Sequence, residues 1–210
     1  MNRNYQKELD RLIASLDGRR PRVLLHCCCG PCSTAVLEYL CRTFDLTLLW
    51  YNPNLFPEEE YGRRLAAFRQ VLEKMGLSGR LSVLEEPWRA EEYRARTKGL
   101  ENEPEGGARC TACFALRLEE TAKLAAERGF DYFCTTLTLS RHKDARRINA
   151  LGEALASEYG VAWLPSDFKK QGREMRSSVL AEQFGVYRQL YCGCEYSLHR
   201  REGGEADKNK

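Results

Sequence analysis

The chain has 210 residues, of which 43% are apolar and 30% charged, with a formal net charge of +3. This balance excludes a mainly disordered chain, and the charge is too small to mark a nucleic-acid binder by itself. No apolar run approaches the roughly 18 to 20 residues of a spanning helix, and Met1 to Arg22 is charged throughout without an apolar signal core. The expectation is therefore a cytoplasmic protein with no membrane segment.

In chain order, Arg22 to His26 reads as a short buried strand. Pro31 suits the first turn of a following helix, whose apolar face is Ala35, Val36, Leu37, Leu40 and Cys41. Leu46 to Tyr51 is a second buried strand, and Asn52-Pro53-Asn54 a turn. Glu58 to Met75 is an amphipathic helix with Tyr61, Leu65, Phe68, Leu72 and Met75 inward, closed by Gly76. Leu81 to Leu84 reads as a strand, Trp88 to Arg96 as a short helix, and Lys98 to Arg109 as a polar loop. A helix from about Cys110 to Arg128 precedes a strand at Tyr132 to Thr136. A helix over Asp144 to Tyr159, a strand at Val161 to Leu164 and a helix near Met175 to Phe184 complete the pattern. A cysteine-bearing loop and a polar, disordered tail from Arg201 follow. Strands alternating with helices predict one α/β domain over residues 1–200, with a parallel sheet of about five strands covered on both faces. Ligands of such sheets bind beyond the carboxyl ends of the strands.

Ten cysteines are the anomaly. A chain of this size has no need of disulfide staples, so a dense cysteine set points to metal or redox chemistry. Cys27, Cys28, Cys29 and Cys32 form one knot, Cys110 and Cys113 a second, and Cys192 and Cys194 a third. Cys41 and Cys134 read as buried core residues. Neighbouring side chains diverge, so Cys27 to Cys29 cannot all serve one tetrahedral ion. Cys29/Cys32 and Cys110/Cys113 each form C-x-x-C at a helix start, where backbone amides favour thiolate. Positions three apart share a helix face, which places Cys110, Cys113 and Arg117 on one side. The chain between Cys32 and Cys110 far exceeds the roughly 15–20 residues of a zinc ribbon, so an iron–sulfur cluster fits better than a structural zinc or plain disulfides. Gly193 gives Cys192 and Cys194 the backbone freedom of a tight, redox-labile ring; unpaired loop thiols or extra metal ligands are the alternative.

These residues resemble the cobalamin-independent epoxyqueuosine reductases, the QueH family. The resemblance begins at His26-Cys27-Cys28-Cys29-Gly30-Pro31-Cys32 and continues through Tyr51-Asn52-Pro53-Asn54, Glu60-Tyr61 and Arg109-Cys110-Thr111-Ala112-Cys113. It then takes in Thr135-Thr136-Leu137, Ser140, Asp167-Phe168-Lys169 and Arg176-Ser177, ending in Tyr187-Arg188-Gln189 and Tyr191-Cys192-Gly193-Cys194. It implies a HUP-like α/β fold, a 4Fe–4S cluster and reduction of epoxyqueuosine to queuosine at the wobble base of tRNA. Carried over by motif, Cys28, Cys29, Cys110 and Cys113 would hold the cluster, and Cys192 and Cys194 would be the redox pair. Cys27 occupies a variable position. Cys32 is assigned to a second iron ion or to the cluster. Gly30 stands where alanine is usual, Phe114 where tyrosine is, Arg141 where proline is, and Lys169 where arginine is. The electron donor is external and unidentified.

Independent support for an RNA substrate comes from the chain beyond Ser140, where basic residues outnumber acidic ones. Arg141, His142, Lys143, Arg146 and Arg147 cluster in one strand-to-helix loop, and Lys169, Lys170, Arg173 and Arg176 in the next. Of these, Arg141, Lys143, Lys169 and Arg176 are the candidate substrate contacts, with Tyr51, Tyr187 and Tyr191 as stacking groups. His142 is the candidate proton donor and Asp167 an acid, anchor or helix cap. His26, ending a buried strand, reads as a satisfied core histidine. Two rivals differ in class: a non-catalytic zinc-stabilised RNA-binding module, and an ATP-dependent tRNA thiolase, whose Ser-Gly-Gly phosphate loop is replaced here by Cys28 to Cys32.

Overall fold

The computed structural model describes residues 3–202, with side chains described for residues 3–200. A parallel sheet is built from β1 (Arg22–His26), β2 (Asp45–Trp50), β3 (Ser82–Glu85), β4 (Tyr132–Thr135) and β5 (Ala162–Trp163), in the order β3-β2-β1-β4-β5. Both faces of the central strands are apolar, as a sheet covered on both sides requires. Val23, Leu25 and Cys27 of the β1 segment join one core cluster, whereas Leu24 and Cys28 join the other. In β2, Leu46, Leu48 and Trp50 face the first cluster and Leu49 the second.

The helices divide accordingly. Helices α2 (Gly30–Leu40), α3 (Glu58–Lys74) and α7 (Arg173–Gln183) cover one face, with α2 packed between α3 and α7. Helices α5 (Ala108–Glu127) and α6 (Ala145–Tyr159) cover the other, and the short α4 (Ala90–Thr97) packs on α5. The strands on one side of β1 come next in sequence and those on the other side come later. The order therefore reverses between β1 and β4, which opens a crevice at their carboxyl ends. The cysteine knot leaves β1 at that point.

Element positions match the expectation within one to three residues, with four differences. An N-terminal helix α1 (Tyr5–Ser15) precedes the sheet, capped by the Asn4 side chain, which accepts from the Lys7 amide at 3.0 Å. Leu9 is its buried anchor. After β4 the chain winds into a 3-10 turn, Thr136–Leu139, because the Thr135 hydroxyl caps it by accepting from the Leu137 amide. The last strand is two residues rather than four. Finally, α8 (Glu195–Glu202) carries helix through the residues expected to begin the tail; the remainder of that tail lies outside the described residues. Among the described residues no helix is long and apolar enough to cross a membrane.

Two glycines set close approaches. A Cβ on Gly30 would lie 2.8 Å from the Ala67 carbonyl oxygen, so this glycine, at a position where the resembled family usually has alanine, lets α3 press against α2. A Cβ on Gly152 would overlap the ring of Trp163, which is held by donation from its Nε1 to Asn149 at 2.9 Å. Replacing Gly152 with alanine should thus overpack the α6–β5 contact and lower stability by about 1–3 kcal/mol, read from the midpoint of urea unfolding at unchanged m-value.

Candidate functional site

The knot is shaped by its neighbours. The Cys27 amide extends the sheet by donating to the Leu49 carbonyl at 2.8 Å, and the Cys27 carbonyl accepts from Asn52 Nδ2 at 2.9 Å. The Thr136 hydroxyl accepts from the Cys28 amide at 3.0 Å and donates to the Cys28 sulfur at 3.3 Å. Cys29 is the N-cap of α2, its sulfur accepting from the Cys32 amide at 3.3 Å. From the other side, Ser177 of α7 donates to the Pro31 carbonyl at 2.5 Å. Residues from β2, β4 and α7 thus converge on one turn.

The sulfurs of Cys28, Cys29 and Cys32 lie within 4.8 Å of one another, a set able to hold a metal ion. Their protons are shared. Hydrogen bonds from Cys29 and Cys32, aided by Lys143 and Thr136 against the cost of burial, hold Cys28 well below the ordinary thiol range. Donation to Cys28 pushes Cys29 up to about 12 and Cys32 well up. Of the three thiols, Cys28 is the one its neighbours favour as thiolate. Cys27 points into the first core cluster and is raised by burial, so it is a core residue.

Cys110 and Cys113 open α5. Cys110 packs against the cluster that contains Cys28 and Cys29, and its sulfur accepts from the Gly106 amide at 3.2 Å. Cys113 packs with Tyr93 and Cys194. Burial pushes the Cys113 thiol up to about 12 against the pull of Arg117, whose Nη2 donates to its sulfur at 3.3 Å. Neither is part of the three-sulfur set.

The third cysteine group is held by a buried clamp. Arg64 of α3 donates to the Cys192 carbonyl at 3.0 Å and the Tyr191 carbonyl at 3.2 Å, and pairs with Glu60 at 2.7 Å. Tyr187 donates to Glu60 at 3.0 Å, and the Gly193 carbonyl accepts from the Phe56 amide at 2.8 Å. Gly193 has φ +122°, and a side chain there would strike Arg64 and Leu55, so only glycine fits. Cys192 and Cys194 are not bridged. Burial raises the Cys192 thiol while Lys143 opposes it.

Beside the knot lies a cleft of about 480 Å³ lined by Pro31, Cys32, Ser140, Arg141, His142, Ser177 and Arg188, among others. Met175, 75% exposed, stands at its rim. Arg141 and His142 thus both line this cleft. Lys143 is half-buried near the cysteines: burial alone would lower its ammonium, but the sulfurs of Cys192, Cys28 and Cys32 raise it on balance. Lys169 pairs with Asp167 at 2.9 Å, making Asp167 its anchor. Arg176 ties α7 to α2 through both oxygens of Glu38, at 2.6 and 3.0 Å.

Tyr51 requires a correction. It is 2% exposed and its hydroxyl donates to Glu92, so its ring is core rather than a stacking face. Tyr187 and Tyr191 lie half-buried against Arg63 and Arg64. His26 is fully buried, with Nδ1 2.8 Å from the Thr135 hydroxyl and Nε2 3.0 Å from the Tyr51 carbonyl. A carbonyl only accepts, so Nε2 carries the proton and Nδ1 accepts. Burial holds this imidazole neutral, down to about 4, as a structural histidine. Sequence reading passed over Thr136, Asn52, Arg64 and Glu60 as site residues, although the motif blocks contain all but Arg64.

Residues 23–200 match the family model described as epoxyqueuosine reductase QueH. A protein of that name from Staphylococcus epidermidis is 43% identical over 204 residues, 94% of this chain and 86% of its own length. The Streptococcus pyogenes serotype M1 protein is 40% identical over 205 residues, covering 94% and 80%. The Thermotoga maritima protein is 34% identical over 188 residues, covering 88% and 94%.

Two outcomes are expected. In metal-free protein, thiolate absorbance near 240 nm should persist at neutral pH and fall as pH drops through the lowered Cys28 value; Thr136→Val removes a donor to that thiolate and should move this midpoint upward. Arg64→Met leaves the buried Glu60 carboxylate without its buried guanidinium partner, held only by Tyr187 and the exposed Arg63 at 3.6 Å, and should cost about 3–5 kcal/mol in urea unfolding.

Proposed function

The chain belongs to the epoxyqueuosine reductase QueH family, and we propose that it reduces the epoxide of epoxyqueuosine at the wobble position of tRNA to the alkene of queuosine. The observation that carries this reading is the place of Cys32, at once a member of the three-sulfur set and part of the cleft wall. A reacting base in the cleft would therefore lie against the cysteine centre. Acting on tRNA, the enzyme would work in the cytoplasm.

The donor set is all thiol, which suits soft metals and iron–sulfur clusters. In this reading Cys28, Cys29, Cys110 and Cys113 hold a 4Fe–4S cluster, and Cys32 is left for a second iron ion or for the cluster itself. Such a cluster would supply one-electron transfer, and a second iron ion would supply Lewis acidity toward oxygen. The remaining work belongs to the chain. Two carbon–oxygen bonds of the epoxide break, a carbon–carbon double bond forms, and the oxygen leaves as water. This consumes two electrons and two protons. The Cys192–Cys194 dithiol releases that number on closing to a disulfide, and an external reductant restores it. His142 in the cleft wall is placed to hand a proton to the departing oxygen. Arg141 and Arg188 can neutralise flanking phosphates, and the bound base would be drawn out of its stack into the cleft.

Anaerobic reconstitution with iron and sulfide, followed by incubation with epoxyqueuosine-containing tRNA and nucleoside mass analysis, tests the reading. Queuosine should form with a brown protein; a colourless zinc protein without turnover would replace it with the RNA-binding module. Cys192→Ser and Cys194→Ser should each abolish multiple turnover while iron and sulfide content stay at the wild-type level. Cys28→Ser and Cys113→Ser should lose iron, and Cys41→Ser should change neither quantity.

A further inference from the structure

Helix α5 buries a guanidinium that the fold does not pair with a carboxylate. Arg117 is 3% exposed. Its Nε donates to the Cys113 carbonyl at 3.2 Å and its Nη2 to the Cys113 sulfur at 3.3 Å, with the Phe114 ring 5.7 Å from the guanidinium carbon. Among the described residues Arg109 and Arg173 likewise pair with no carboxylate, but of the buried arginines only Arg117 donates to a sulfur. Arg64 pairs with Glu60, Arg109 with two backbone carbonyls and the Tyr196 ring, and Arg173 with Gln6 and Gln171. An uncompensated buried charge costs several kcal/mol, and guanidinium does not escape the cost by losing its proton. What Arg117 reaches is sulfur, the Cys113 Sγ, and the nearby Cys113, Cys28 and Cys192 favour its charged form against the cost of burial. Since Cys110, Cys113 and Arg117 recur at helical spacing, one face of α5 presents two thiols and then a fixed cation.

We propose that Arg117 is the charge-compensating residue of the cysteine-held centre and, acting through Cys113, makes that centre easier to reduce. This rests on the reading of Cys113 as a cluster ligand. A cluster bound by four thiolates gains a further negative charge with each electron. In a site of low dielectric, a permanent cation in contact with one ligand stabilises the reduced state more than the oxidised one, so the potential rises. Arg117 is a positioning and field-setting residue rather than a catalytic one, since it touches a ligand and not the substrate.

The test compares wild type with Arg117→Met, Arg117→Gln and Arg117→Lys after anaerobic reconstitution. Iron and sulfide content are measured, and potentiometric titration is read by visible absorbance. At the poise where the wild-type centre is half reduced, the neutral variants should show an approximately tenfold lower reduced-to-oxidised ratio, ~59 mV for one electron, and Arg117→Lys should recover most of it. Unchanged ratios in the neutral variants at full iron content overturn the proposal, as does an Arg117→Lys ratio as low as theirs. Should both neutral variants fail to retain iron, retention by Arg117→Lys supports charge compensation, whereas loss in all three assigns Arg117 a packing role and overturns it. A wild-type protein that assembles no iron–sulfur centre ends the cofactor reading itself, and this inference with it, an outcome distinct from a wild-type centre indifferent to Arg117.

Discussion

The turn from β1 into α2 is the constraint on which the rest depends. Three consecutive cysteines leave a buried strand, and their side chains must part: Cys27 into one core cluster, Cys28 toward Thr136, and Cys29 over the first turn of α2. That parting is enforced by hydrogen bonds to backbone groups from Asn52, Thr136 and Ser177. Each comes from a different element, so the turn keeps its shape only in the assembled sheet. His26 serves the same end, joining the β4 end to the Tyr51 carbonyl while remaining neutral.

Charge explains the second layer of the site. Thiols gathered in a buried place resist ionisation, as the upward displacement of Cys27, Cys113 and Cys134 shows. Two cations, Arg117 and Lys143, approach from α5 and from the loop before α6 and work against that resistance. The basic loop that composition marked as an RNA-facing surface is thus split. Arg141 and His142 line the cleft, whereas Lys143 lies near the sulfurs and Arg147 braces the turn before α5 by donating to the Gly106 carbonyl at 2.5 Å.

The Cys192-Gly193-Cys194 segment lies in a loop, yet it is fixed. Arg64 and Glu60, one turn apart on α3, form a buried pair that grips two successive carbonyls of that loop. The device fixes the Cys192–Cys194 segment against α3, with Cys194 packed beside Cys113 and Tyr93.

Much of this was legible in the residues alone. Strand and helix positions followed from apolar runs and their period, because burial on both faces leaves a nearly continuous apolar signature in β1 and β2. The cysteine groups announced soft-metal and redox chemistry by their number and spacing, and the ordered motif blocks identified the family. Helix α1 was legible too, through Asn4, Leu9 and Leu12, but its charged composition masked it. What only the tertiary structure decided is which polar residues face the sulfurs. Sequence spacing could group Arg117 with Cys113, since both ride one helix face. It could not reveal that Thr136 meets Cys28 or that Arg64 reaches Cys192, nor that Tyr51 turns into the core. Those contacts join residues far apart in the chain, and their partners are set by strand order and helix packing rather than by local period.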